Sequence, residues 1–96
     1  MFGDLPAKLP QHIAFLLVPN FSMIAFTSAV EPLRLANRAS GKELYRWHLF
    51  STDGKPVAAS NGILLTPEGP ADQMLNFHTV VLCSGIDGHL DRKSVV

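Results

Sequence analysis

Few residues in this chain have the type and setting to do chemistry, and they are scattered along it. Cys83 is the single cysteine, and it ends the apolar run "TVVLC" just before Ser84 and Gly85. A thiolate at a strand-to-loop junction can act as a nucleophile. A thiol is activated by a neighbouring cation or a helix N-terminus, and no basic residue stands beside Cys83 in sequence. Its plainer role is a small apolar residue at the end of a buried strand. The four histidines, His12, His48, His78 and His89, are widely spaced and make no zinc-ligand pattern. Glu31 is the acidic residue of "VEPLRLANR", a polar anchor or a pocket-lining group. Arg34, Arg38 and Lys42 recur every four residues, which reads as a solvated helical face. Eight basic and eight acidic residues give zero net charge, so the chain lacks the positive field of a non-specific nucleic-acid binder. Ligands of parallel α/β sheets gather at the carboxyl ends of the strands. Ser84, Gly85, Ile86 and Asp87 are therefore candidate pocket residues, with Glu31 and Asn61 beside them.

The elements that must position these groups follow from the pattern of the chain. Its 96 residues suffice for one small domain, and 47% apolar with 17% charged residues is a globular composition. Residues 1–11, with Pro6 and Pro10, read as a flexible leader without the features of a secretory signal. The longest apolar run, "IAFLLV", is too short to span a bilayer. A cytoplasmic protein with no membrane partner is expected.

Ile13 to Val18 is a continuous apolar run ending at Pro19-Asn20, as in a strand covered on both faces. Ser22 is an N-cap for a helix that places Met23, Phe26, Val30, Leu33 and Asn37 on one face and stops at Gly41. Pro32 is expected to kink it. In "ELYRWHLFST", Tyr45, Trp47 and Leu49 alternate with Arg46, His48 and Phe50, so the segment reads as a strand. "DGKP" is a turn, Asn61-Gly62 is a hairpin dipeptide, "PADQMLN" opens a short helix at Pro70, and "HTVVLC" is another buried strand. The tail "IDGHLDRKSVV" opens with loop residues and then starts a further helix. A strand–helix–strand opening with apolar strands implies an α/β sheet with right-handed crossovers.

Three stretches, "HIAFLLVPNFSM", "EPLRLANRASGKELYRWHLFSTDGKPVAASNGILLTPEG" and "TVVLCSGID", resemble the N-terminal half of the sensor domain of GlxA-like, AraC-type transcriptional regulators. That domain is similar to the PfpI and class I glutamine amidotransferase-like superfamily. "EPLRLANR" and "WHLFSTDGKPVAASNG" are the most specific parts of the match. The resemblance implies a flavodoxin-like parallel sheet with flanking helices. Residues 12–96 would be only the N-terminal half of the domain, with the second half and a helix-turn-helix pair lying beyond Val96.

The resemblance also bears on catalysis. In enzymes of the superfamily the nucleophilic cysteine comes later in the chain, and Cys83 matches the residue before a "PGG"-type turn, with Ser84 and Gly85 at the two glycines. The position of the family glutamate that supports the nucleophile is Ala25, which has no acid or base to offer. Glu31 lies about two turns further on. The implied function is non-catalytic, without a cofactor: sensing a small-molecule effector, dimerising, and reaching DNA only through the helix-turn-helix domain. The effectors implied are choline, betaine, carnitine and related nitrogen compounds, for which Phe21, Phe26 or Trp47 would offer a cation-π face. The alternative is a PfpI-like cysteine hydrolase or amidotransferase-like enzyme whose nucleophile lies beyond Val96.

Overall fold

The computed structural model describes residues 9–85. Strand β1 (Gln11–Leu17) leads into helix α1 (Met23–Ser40) and strand β2 (Tyr45–Ser51). The short strands β3 (Val57–Ala58), β4 (Leu64–Leu65) and β5 (Gly69–Pro70) follow. A 3₁₀ helix (Ala71–Asn76) then precedes β6 (Thr79–Cys83). The main sheet has the order β5-β2-β1-β6, and its paired strands are all parallel. β3 and β4 form a separate antiparallel hairpin. This is the α/β class expected, a flavodoxin-like partial sheet with β1 between its two neighbours.

β1 is central and therefore apolar on both sides. Ala14 is 0% exposed on one face and Phe15 1% on the other. Its first residue, Gln11, already joins the ladder opposite Tyr45, and its backbone N–H donates to Leu44 O. The strand therefore starts at the last residue of the expected leader.

Helix α1 has the termini its sequence dictates. The Ser22 hydroxyl accepts from Ala25 N at 3.1 Å. Gly41 adopts φ 73° and returns its N–H to Asn37 O and Arg38 O, a left-handed stop that glycine takes without Cβ strain. The helix continues through Pro32 to Ser40 as one element. Its inner stripe is the expected one. Val30 is buried, and Met23, Phe26 and Leu33 pack against Phe15, Leu17 and Cys83.

Asn37, the polar member of that stripe, has a different task. Its Nδ2 donates to Tyr45 O at 2.9 Å, while its Oδ1 accepts from Leu44 N at 2.8 Å and Tyr45 N at 2.9 Å. One amide thus fixes the last turns of α1 to the first residue of β2.

The expected short helix after Pro70 is a 3₁₀ turn. No side chain caps it and none of its residues is buried, so it lacks the packing that holds an α-helix in water. The helix expected in the tail lies outside the described residues.

Candidate functional site

The carboxyl end of β1 is the hub of the molecule's loop edge. After Leu17 the chain turns through Pro19-Asn20, and Asn20 takes φ 68°, a conformation that asparagine tolerates better than most residues. Backbone bonds then tie this turn to two distant segments. Val18 N donates to Cys83 O at 3.1 Å and Ser22 N to Ser84 O at 3.3 Å. Asn20 N donates to Ala58 O at 2.8 Å, and Ser60 N to Phe21 O at 2.8 Å. Phe21 and Ala59 form an isolated parallel bridge. The end of β1, the end of β6 and the β3–β4 hairpin are thus joined at one place.

Two of the sequence-derived candidate segments meet there. Ser84 and Gly85 follow β6 and are half-buried. A Cβ at Gly85 would run into the carbonyl oxygen of Asn20, so the close approach of the two loops requires a glycine. Asn61 sits at the exposed tip of the hairpin. Its Oδ1 accepts from Ile63 N at 3.0 Å, and Gly62 takes φ 90°, the turn its dipeptide implies. Ile86 and Asp87 lie outside the described residues. Among the described residues, the side chains of Asn20, Ser60 and Ser84 hold no hydrogen bond to protein groups. They leave polar atoms at the loop edge that a ligand can use.

Glu31 is not joined to this edge by any hydrogen bond among the described residues. It pairs with Arg34 on the exposed side of α1, at 2.6 Å from Arg34 Nη2. The guanidinium's hydrogen bonds hold its carboxyl below the usual range.

Phe21 and Phe26 turn out to be core aromatics. Phe21 is 0% exposed and meets Phe26 edge-to-face at 6.1 Å, while Phe26 meets Phe15 at 5.6 Å. Trp47 packs against the same cluster. Phe21 is sealed from solvent and cannot offer its ring to a cation.

Cys83 is 1% exposed in the core, and burial pushes its thiol up to about 11. It is a protonated packing residue at neutral pH, as its sequence setting suggested. Among the described residues, no three His, Cys, Asp or Glu side chains gather as a metal-ligand set. No helix among them is long and apolar enough to cross a membrane.

The sequence reading passed over Asn20 and Ser22 as site elements. The only signal was the Pro19-Asn20 turn dipeptide; the contact with Ser84 and Gly85 spans most of the chain and is set by the parallel register of β1 and β6.

No family model matches the chain. Curated relatives do. It is 51% identical over 77 residues to the HTH-type transcriptional regulator GbdR of Pseudomonas aeruginosa, covering 80% of this chain. It is 43% identical over 79 residues to the HTH-type transcriptional regulator CdhR of the same species, covering 82%. It is 39% identical over 75 residues to the HTH-type transcriptional regulator GlxA of Rhizobium meliloti, covering 78%. Its fold matches the crystal structure of an AraC family transcriptional regulator from Pseudomonas putida with TM-score 0.70 and 29% identity, over 80% of this chain.

This chain is homologous to part of an AraC-type, HTH-type transcriptional regulator.

It spans 21% of the length of GbdR, 23% of CdhR and of GlxA, and 42% of the solved regulator chain. The GlxA-like resemblance of "EPLRLANR" and "WHLFSTDGKPVAASNG" now has a structural account. The first motif carries the Asn37 clamp. The second carries most of β2, then β3 and the hairpin turn that closes over the β1 loop.

Proposed function

We propose that the chain is part of the sensing domain of an AraC-type transcriptional regulator, a non-catalytic module that binds a small-molecule effector at the loop edge. The observation that carries this reading is the convergence of three segments at the carboxyl ends of parallel strands, where the side chains of Asn20, Ser60 and Ser84 hold no hydrogen bond among the described residues. Such edges are the ligand-binding places of open α/β sheets. Asn61, Ser84 and Gly85 border the site, with Ile86 and Asp87 directly following. Glu31, committed to Arg34, plays no part in it. The homology to HTH-type regulators supports the regulatory role. Ala25, at the position where enzymes of the resembled superfamily carry a glutamate, argues against the hydrolase alternative.

In this reading the protein is a cytoplasmic homo-oligomer that reaches DNA through helix-turn-helix units elsewhere in its chain. The effector acts by binding one state of the whole regulator more tightly than another. The family resemblance points to choline, betaine, carnitine or a related nitrogen compound. With the aromatic rings in the core, the polar edge groups would recognise the carboxylate or hydroxyl end of such a molecule.

The test is thermal denaturation of the full chain with choline, betaine and carnitine, against sugars and uncharged amino acids at equal concentration. A ligand at about 100 times its Kd adds about 2.7 kcal/mol of stability. The expected result is a raised Tm with at least one nitrogen compound, reduced in Ser84→Ala and Asn20→Ala. A cooperative melt that no compound shifts would overturn the sensing reading.

A further inference from the structure

Away from the loop edge, three side chains form a hydrogen-bonded line on the sheet face opposite α1. His12 lies near the start of β1 and His48 near the middle of β2. Glu68 follows β4 and its backbone N–H donates to Leu49 O. The parallel register sets Ala14 opposite His48 and His12 opposite Arg46, so the two imidazoles stand diagonally on one face. His12 Nδ1 and His48 Nε2 are 2.8 Å apart, with ring centroids at 5.0 Å. The other nitrogen of His48 meets Glu68 Oε2 at 2.7 Å.

Only one proton fits between His12 and His48, because one nitrogen must donate and the other accept. With Glu68 accepting from His48 Nδ1–H, neutral His48 presents a bare Nε2 toward His12. Phe77 packs edge-to-face on His48 at 5.1 Å and fixes the ring. His48 is 17% exposed at its side chain and His12 faces solvent.

We propose that His12 Nδ1 and His48 Nε2 form a binding site for a first-row divalent transition metal, with the ion taking the place of the shared proton. Imidazole nitrogens suit zinc, copper and nickel. An ion about 2.0 Å from each nitrogen, with a tetrahedral angle between them, sets the nitrogens about 3.3 Å apart. Rotation of the exposed His12 supplies the small opening required. Glu68 occupies the outer position of a carboxylate–histidine–metal line, where it fixes the ring and makes the ligating nitrogen more basic. No third His, Cys, Asp or Glu of the described residues joins the pair, so water completes the coordination and the ion remains exchangeable. Glu43 and Arg46 flank His12 but are engaged with each other at 2.8 Å. On binding, the proton held at His12 Nδ1 moves to the outward Nε2 of the same ring, so that both ligands remain neutral imidazoles.

The experiment is calorimetric titration of untagged full chain with Zn²⁺, and separately Ni²⁺, at pH 7.5. The expected result is binding of one ion per chain. His12→Ala, at an exposed position, abolishes it. Glu68→Gln weakens it by at least about tenfold, the effect of removing an outer-shell partner, and His78→Ala leaves it unchanged. Absence of binding by the wild-type chain, or binding by His12→Ala as tight as wild type, overturns the proposal.

Discussion

On the α1 side of the sheet Phe15, Leu17 and Cys83 are 0–1% exposed, whereas on the other side Val80 and Leu82 stand 45% and 44% open to solvent. Both faces belong to the same strands. The difference lies in what each face receives from the rest of the chain. One side receives the long stripe of α1, with Val30 buried and Met23, Phe26 and Leu33 around it. Among the described residues, the other receives only the segment around Glu68 and Phe77, which reaches His48 and Phe50 on β2 and does not cover β6. Stability should therefore be concentrated on the α1 side.

The largest contrast is between two leucines one strand apart. Leu17→Ala removes a fully buried side chain and is expected to cost about 3 kcal/mol, within the usual span for a buried leucine. Leu82→Ala trims a half-exposed one and should cost under about 1 kcal/mol. Urea midpoints of the two variants decide the matter. Equal losses would mean that the β6 face is covered in solution and that the contrast between faces is false.

Asn37 sharpens the same comparison. Its side chain is the polar fastening of α1 to β2, and among the described residues no equivalent ties the opposite face to β6. Asn37→Ala strands two backbone N–H groups and one carbonyl, and is expected to cost about 2 kcal/mol. Asn37→Asp keeps both acceptor contacts and loses the donation to Tyr45 O, so a smaller loss is expected. If alanine and aspartate cost the same, the accepted bonds carry none of the effect.

How far these positions could be read from sequence depends on the range of the interaction. The apolar run of β1, the Ser22 and Gly41 caps, the alternation of β2 and the Asn61-Gly62 turn are local, and each was legible in a few adjacent residues. Asn37 fell into an apolar stripe by spacing alone; what makes it polar there is the start of β2, reached only once the chain turns back at Gly41. The line His12–His48–Glu68 was invisible because it needs the parallel register, which places residues 36 and 20 positions apart in contact. The loop-edge candidates Ser84 and Gly85 were found from a general rule about strand ends. Their partner loop at Asn20 was not, since nothing near it in sequence mentions β6. Phe21, named as a cation-π face for the implied effector, is instead enclosed by the hairpin bridge at Ala59, a contact 38 positions away that no local pattern announces.

Cys83 gives a prediction of intermediate size. Burial raises its thiol from an ordinary 9.0 to about 11, because the thiolate would lose its water. A raised acid favours the protonated, folded state. Its contribution is complete below about pH 9 and fades as pH climbs toward 11. Thiol labelling at pH 8 should accordingly be slow in the native chain and fast in urea. Rapid native labelling would place Cys83 at an open face like that of β6, and would return it to candidacy as a reactive group.

The smallest effect belongs to Glu31 and Arg34, on the solvent side of the helix whose other side fills the core. Their bond is short, with Arg34 Nη2 at 2.6 Å from Glu31 Oε1, yet both side chains are nearly half exposed. Water and salt screen such a pair, and holding two long side chains in one geometry has its own entropic cost. The arginine's hydrogen bonds lower the Glu31 carboxyl. Any stabilisation is therefore present above the usual carboxylate range and is lost as pH falls through the lowered value. Arg34→Ala should leave the urea midpoint at neutral pH and physiological salt indistinguishable from wild type. A clear destabilisation that persists in high salt would show that Glu31 is anchored to more than its neighbour, and would bring it back toward the loop edge as a structural or ligand-facing group.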